Sequence, residues 1–358
     1  MHSKPTHMNS NESNLNKLRS LIYTSLDPLI QSDYSLLDIP DYKNIGDHLI
    51  WGGELAFLKR LPYNMSYSAN WIYCQLKDIP TSNTILLQGG GNFGDIWRHH
   101  QEFRLKIISN FKQSKIVVFP QTVYYKDVEI LKKDAAVFNQ HPNLTVCARD
   151  AVTYEILKKY FHKNNIIMLP DMAFCLDLTE HIQTQPTNKV LLLERNDKEL
   201  QQKLDIDNLL FKEDKQKQLE IRDWPRYNQS RLSEAIENTI NSLDIKISKR
   251  LIKVPVINQL IDPRHGMKRR DARTNYISNG IKFINRYDTI YTTRLHGYIL
   301  SVLLNKQVYM LDNSYGKNSG FYNTWMKDFE KSVFLGSVSK QQTDNLQGNS
   351  KLNTQPAV

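Results

Sequence analysis

Short, unbroken apolar runs recur along the chain, separated by longer stretches in which apolar residues return every three or four positions. TILLQ at 84–88, KIVVF at 115–119, LTVCA at 144–148 and IIML at 166–169 are runs of the first kind. Continuous apolar runs bounded by polar turns are the mark of strands buried on both faces, and alternation with helical spacing calls for parallel pairing. Residues 30–177 therefore read as a doubly wound α/β domain. Leu15–Leu26 and His48–Leu61 carry helical spacing before and inside it. The polar segment Leu178–Asn188 is the natural linker, and KVLLL at Lys189–Leu193 opens a second α/β domain over 189–334. Within it, 198–250 reads as charged helix, and Gly280–Ile284 and Asp288–Thr293 as returns to a sheet. An apolar helix at Tyr298–Leu304, a strand at Gln307–Asp312 and a closing helix at Asn323–Phe334 complete it. Residues 1–29 form a flexible tail and one helix, and the polar tail 335–358 is expected to be disordered.

In sheets of this kind ligands sit beyond the carboxyl ends of the strands. Those ends are polar: Asp95, Gln121, Arg149 and Asp171 each follow a strand of the first domain. Asn44-Ile45-Gly46-Asp47 precedes a helix, so Asp47 either caps that helix or points into a cleft at its start. Gly89-Gly90-Gly91-Asn92-Phe93-Gly94-Asp95 formally satisfies G-x-G-x-x-G after a strand. A dinucleotide site also needs an acid at the end of the next strand, and that strand ends in Pro120-Gln121-Thr122. The glycine turn is then read as exposing backbone N–H groups and setting Asn92 and Asp95 at a helix mouth. In the second domain Arg294-Leu295-His296-Gly297 runs from strand into helix. Such a turn offers free backbone N–H groups, a fixed guanidinium fork suited to phosphate or carboxylate, and an imidazole that titrates near neutrality. Gly297 would let a ligand approach the backbone closely.

Composition narrows the classes. Lys+Arg number 47 against 37 Asp+Glu, a formal net charge of +10, so anions are favoured partners. No RNP-like aromatic stretch, zinc finger or basic recognition helix accompanies that charge, which argues against nucleic acid. It is compatible with peripheral contact with an anionic membrane at the inner face of the plasma membrane. The three cysteines, Cys74, Cys147 and Cys175, are scattered in apolar runs and read as buried thiols rather than a disulfide framework. No apolar run reaches membrane-spanning length and the first residues lack an apolar h-region, so a cytoplasmic location is expected. Asp205-Ile206-Asp207 lies in a charged stretch and reads as solvated surface; His99-His100, being adjacent, face different ways on a helix. Arg264–Arg273 is a basic loop, either solvated or facing an anion.

Taken in order, these motifs resemble the polysaccharide pyruvyl transferase family, in the branch found in exopolysaccharide and capsule biosynthesis. The carriers are Asn44-x-Gly46-Asp47, Gln88 to Asp95, Phe119-Pro120-Gln121, Ala148-Arg149-Asp150, Pro170-Asp171, Glu194-Arg195-x-Asp197, Thr293 to Gly297 and Asp312 to Lys317. The resemblance implies two Rossmann-like domains facing across a cleft, the glycosyltransferase-B arrangement. It implies phosphoenolpyruvate as co-substrate, no cofactor or metal, and a sugar or lipid-linked oligosaccharide as acceptor. Carried onto this chain, Arg294, Leu295, His296 and Arg195 bind the donor, and His296 and Asp95 are the catalytic pair. Gly46, Asp47, Asn92, Arg149, Asp171, Tyr315 and Lys317 line the cleft or the acceptor side. LERND around Arg195 departs from the family's more usual LRxD. A nucleotide-sugar glycosyltransferase on the same architecture is the alternative, and a non-catalytic polysaccharide-binding protein a more distant one.

Overall fold

In the computed structural model the apolar runs become the strands of two sheets. The structure describes residues 10–194, 209–225, 231–254, 256–267, 271–312 and 317–336. The first sheet contains β1 (Tyr34–Leu37), β2 (Met65–Ala69), β3 (Thr84–Leu87), β4 (Gly90–Gly94), β5 (Ile116–Tyr124), β6 (Leu144–Ala148) and β7 (Asn165–Met168). Its order is β2-β1-β3-β5-β6-β7, with β4 paired to the far half of β5. The second sheet contains β8 (Lys189–Leu193), β9 (Gln218–Arg222), β10 (Thr289–Thr292), β11 (Gln307–Leu311) and β12 (Ser332–Gly336), in the order β12-β11-β10-β8-β9. Pairing in both sheets is parallel, as in Rossmann-like α/β folds.

Parallel strands need crossovers, and helices supply them. They are α1 (Ser10–Leu26), α2 (Ile45–Leu58), α3 (Arg98–Asn110), α4 (Val128–Phe138), α5 (Ala151–Tyr160), α6 (Arg231–Leu251), α7 (Arg273–Ile284), α8 (Leu295–Leu303) and α9 (Lys317–Trp325). One apolar cluster joins the two sheets. Leu86, Val117 and Cys147 enter it from the first sheet, and Leu191, Ile290 and Val308 from the second. Helix α2 adds Ile45, Leu49, Ile50, Trp51, Phe57 and Leu58 to the same cluster and packs against α7, α8 and the turn Met172–Cys175. Burying a side chain of this size is worth about 1.5–3 kcal/mol, so α2 is held by packing on several sides and its N-terminus is a fixed point. The first helix is docked as well: Leu15, Leu18, Ile22 and Leu26 are buried, Asn11 donates to Val302 O and Asn14 to Asp328 O. Arg19 donates to Phe174 O and Leu176 O.

Several predicted boundaries are corrected. β5 does not end at Phe119 but continues to Tyr124, with a register shift between Val118 and Gln121, so Gln121 and Thr122 sit within the strand. The glycine-rich turn is largely the short strand β4. Gly94, at φ +135°, would set a Cβ 1.7 Å from Tyr124 O, so a glycine is needed for backbone to lie on backbone. The charged stretch 198–250 holds the edge strand β9 (QLEIR), which is partly to fully exposed along its length. The closing helix stops at Trp325, and Val333-Phe334-Leu335 belongs to β12. Strands β1 and β2 were not anticipated: β2 is short, serine-containing and partly exposed. The cysteines are free and buried, and burial pushes the Cys74 and Cys175 thiols up to about 12. No described helix is long and apolar enough to cross a membrane.

Candidate active site

The polar strand ends of both sheets meet at the N-termini of α2 and α8. Asp171, just beyond β7, is 1% exposed and accepts from Arg149 Nη1 at 2.7 Å, from Ala173 N at 2.9 Å and from His296 Nε2 at 3.3 Å. Burial alone would raise its carboxyl. The opposing pull of His296, of Arg149 and of the Ala173 N–H holds it well below the usual carboxylate range. Asp171 is thus a buried carboxylate bonded from both sides, by Arg149 and by His296. Arg149, 2% exposed at the end of β6, also donates Nε and Nη2 to Thr122 Oγ1 at 3.1 and 2.9 Å. Thr122 in turn donates to Asp150 Oδ2 at 2.9 Å, and Asp150 caps α5 through Thr153 N. A guanidinium anchored at three points keeps one orientation.

His296 comes from the second sheet. β10 ends at Thr292, whose hydroxyl accepts from Arg294 N at 2.9 Å, and α8 begins at Leu295, whose side chain is half-buried against the core. Because the Asp171 carboxylate takes Nε2–H, Nδ1 is the other ring atom, and it faces the first turn of α2. A Cβ on Gly46 would lie 2.6 Å from Nδ1, so glycine at 46 is what lets the imidazole approach that helix end. Asp47 follows. The cap of α2 is not Asp47 but Asn44, whose Oδ1 accepts from Gly46 N and whose Nδ2 donates to Asp47 Oδ2 at 2.7 Å. Gln88 donates to Asp47 O, and Gln121 to Gln88 O and Asn92 Oδ1, which also accepts from the buried Arg104. Gly91 passes Arg149 Nη2, where an added Cβ would stand 3.4 Å away. Gly46, Asp47 and Asn92 form one hydrogen-bonded set and Arg149, Asp171 and His296 another, and the backbone bond from Arg149 N to Gln121 O at 2.8 Å joins the two.

Other predicted residues are elsewhere or differently engaged. Asp95 is not paired with His296: its Oδ2 accepts from Lys126 N and Asp127 N, both at 2.8 Å, and so fastens the turn after β5. Arg294 is not an open fork but forms a two-point ion pair with Asp223, Nε and Nη2 each 2.5 Å from a carboxylate oxygen. Gly297 serves helix-to-sheet packing, since a Cβ there would lie 2.4 Å from Leu193 Cδ2. Arg195, Tyr315, Asp205 and Asp207 lie outside the described residues, and of Lys317 the structure gives only that it opens α9. In the basic loop, Arg264 pairs with Asp262 and the Arg273 guanidinium lies 4.8 Å from the centre of the Trp51 ring. His99 is exposed, whereas His100 is buried against Asp38 at 2.7 Å. Among the described residues no group of three His, Cys, Asp or Glu side chains is arranged to hold a metal.

Sequence reasoning missed Thr122, Glu54 and Asp223. Thr122 is adjacent to a flagged residue, but nothing in its identity announces that it bridges Arg149 to Asp150. Glu54 hides in the apolar stretch HLIWGGELAF and is fully buried. Its Oε1 accepts from Gly89 N at 2.8 Å, and among the described residues Oε2 has no hydrogen-bond partner. Burial pushes this carboxyl well above its ordinary range; the Gly89 N–H opposes, while Asp171, Asp38 and Asp47 add to the rise. A raised folded-state pKa gives stability that is full below the unfolded value and lost as pH rises through the folded one. Glu54→Gln keeps an oxygen for Gly89 without the titration. Its melting temperature should exceed the parent's by about 2–4 °C at pH 8, with the gain gone near pH 4. Thermal melts at the two pH values check this; a variant less stable than the parent at pH 8 would contradict it.

The fold and site define a class: a Rossmann-like α/β protein with a histidine–carboxylate–arginine set where two parallel sheets meet. The polysaccharide pyruvyl transferase profile matches residues 44–315, and the chain belongs to that family. It is a transferase of the pyruvyl transferase type. EpsO of Bacillus subtilis (strain 168), a protein named for pyruvyl transfer, is 32% identical over 317 residues, covering 87% of this chain and 91% of its own. Pyruvyl transferase 1 of Schizosaccharomyces pombe is 28% identical over 327 residues, covering 86% of this chain and 73% of its own. An uncharacterized Klebsiella pneumoniae protein of known structure matches with a TM-score of 0.56 at 20% identity, over 89% of this chain and 98% of its own, which supports the fold.

Proposed function

We propose that the protein transfers the enolpyruvyl group of phosphoenolpyruvate to two hydroxyls of a sugar, forming a pyruvate ketal in exopolysaccharide or capsule biosynthesis. The two sheets act in this reading as Rossmann-like domains, 30–177 and 189–334, facing across a cleft as in glycosyltransferases of the B type. The observation that carries it is the buried Asp171 carboxylate held between Arg149 of the first sheet and His296 of the second, in a chain of this family.

Phosphoenolpyruvate brings a phosphate and a carboxylate, and needs fixed positive charge and backbone donors. Arg149 uses three donors on Thr122 and Asp171, of the five a guanidinium carries. Arg294 meets the donor by exchanging Asp223 for a ligand anion, and Arg195 is the second donor-binding arginine carried over from the resemblance. With Nε2–H held by Asp171, Nδ1 of His296 is the atom that protonates the enol methylene, and Asp171 stabilises the imidazolium. The methylene becomes a methyl group, and the first sugar hydroxyl attacks the resulting oxocarbenium-like carbon. Its proton returns to the imidazole. The second hydroxyl then displaces phosphate, which leaves with that hydroxyl's proton, and the ring closes. Gly46, Asp47 and Asn92 line the acceptor side in this reading, and Tyr315 and Lys317 are the acceptor-side residues carried over from the resemblance. The reaction requires no cofactor.

Incubation with phosphoenolpyruvate and undecaprenyl-linked glycans, reading phosphate release and a pyruvate mass gain on the glycan, tests the reaction. Phosphoenolpyruvate should also raise the melting temperature by mass action. Stabilisation by nucleotide sugars and not by phosphoenolpyruvate would replace this reading with a glycosyltransferase. For the arginine, Arg294→Lys keeps charge but loses the fork, so the KM for phosphoenolpyruvate should rise about tenfold with a smaller change in kcat. Steady-state kinetics with an unchanged KM would confine Arg294 to its bond with Asp223.

A further inference from the structure

Half of the large apolar side chains exposed among the described residues fall between Ile236 and Met267. On α6 they are Ile236, Ile240, Leu243 and Ile247, exposed by 51, 55, 51 and 44%. At about 100° per residue these four lie within about 60° of one another, a single stripe along the helix. Its inward side is thinly anchored: Ile252, Tyr73 and Ile261 form a small buried cluster, and Asp244 takes Ser248 Oγ and Met267 N. The stripe continues past the helix into Val256 and Leu260, exposed by 77 and 62%. Val256 has φ +71°, a costly setting for a β-branched residue, and it carries the side chain outward.

Beyond the first turns of α6, which carry Glu234 and Glu237, the charges beside this stripe have one sign. Between Thr239 and Met267 the described acids are Asp244, which is buried, and Asp262, which is taken by Arg264. Lys246, Arg250 and Lys253 are exposed, and Lys249 lies with its ammonium 5.2 Å from the centre of the Trp71 ring. An apolar stripe edged by lysine and arginine is the composition of a helix that lies in the interface of an anionic bilayer. A second copy on this face would bring two basic bands together. The loop after α6 is fixed to the first sheet's carboxyl edge: Asn70 bonds Pro263 O and Arg264 O, and His265 Nδ1 meets Asp41 Oδ1 at 3.2 Å. Asp41 lies a few residues before the Asn44–Asp47 turn of the site.

We propose that α6 and the following loop seat the protein on an anionic membrane surface, with the mouth of the cleft beside the headgroups. The surface is independent of the chemistry proposed above, and its failure would leave pyruvyl transfer to a dissolved acceptor intact. Co-sedimentation of the full chain with vesicles is the test. Vesicles of phosphatidylcholine containing about one-third phosphatidylglycerol should carry the protein down, pure phosphatidylcholine much less, and added salt should release it. Ile240→Glu with Leu243→Glu should cut the bound fraction at least about tenfold with the melting temperature unchanged. Lys246→Gln with Lys253→Gln, which leaves the apolar stripe in place, should weaken anionic binding and its salt dependence. Three results would overturn the proposal: no sedimentation with anionic vesicles, binding indifferent to both pairs of substitutions, or a parent dimer that the glutamates split while vesicles are ignored.

Discussion

Arg149→Met is expected to destabilise the protein by about 3–5 kcal/mol at neutral pH, the cost of removing one partner from a buried ion pair. The arginine is 2% exposed, and its loss leaves the Asp171 carboxylate buried with one charged neighbour fewer and Thr122 without its donor. The pH dependence has a definite sign. Asp171 is held below its ordinary range, so its stabilisation is present above the unfolded carboxylate value of about 4 and is lost as pH falls toward the folded one. The gap between variant and parent should therefore be widest near neutrality and shrink in acid. Urea unfolding at neutral and acidic pH measures it. A loss under about 1 kcal/mol, or one that grows in acid, would mean that the pair does not organise the site.

His296→Gln should lower kcat by about 10²–10⁴-fold while leaving the KM for phosphoenolpyruvate near the parent's, the range for loss of a general acid–base group. Glutamine can still offer an amide to Asp171, so the fold is expected to survive, and a melting curve controls for it. Asp171→Asn should act through the histidine, shifting the pH–rate profile because the imidazolium loses its carboxylate. If the glutamine variant turned over normally, His296 would serve only to pack against Gly46 and bond Asp171. A raised KM with kcat unchanged would make it a ligand of the donor's anion.

The parts of this molecule that were legible in the sequence are those in which one residue type does one local job. The buried strands β3, β5, β6 and β8 announced themselves as apolar runs, and Arg149, Asp171 and His296 were marked by standing at the ends of strands. What could not be read was pairing. Asp171, Arg149 and His296 belong to three different turns, and only the meeting of two sheets makes them a set. The same limit hides the partners of Arg294 and Asp95: Asp223 is far from Arg294 in sequence, and the bonds of Asp95 to the Lys126 and Asp127 backbone are tertiary. The glycines of β4 were read as a ligand turn, although at Gly94 the demand comes from the backbone of Tyr124. Glu54 was invisible because its helix is otherwise apolar.

Helix α1 imposes an order of events on synthesis. It is the first described segment to leave the ribosome, yet its side chains bond carbonyls of Val302 and Asp328, close to the end of the described chain. Part of its seat, the Phe174 and Leu176 carbonyls that Arg19 bonds, is made before the part at Val302 and Asp328, and contacts of such sequence separation form slowly. Until the first of these partners is made, Leu15, Leu18, Ile22 and Leu26 lack the cover they have in the fold. Over that interval the nascent chain carries an unshielded apolar helix, the kind of segment on which holding chaperones act.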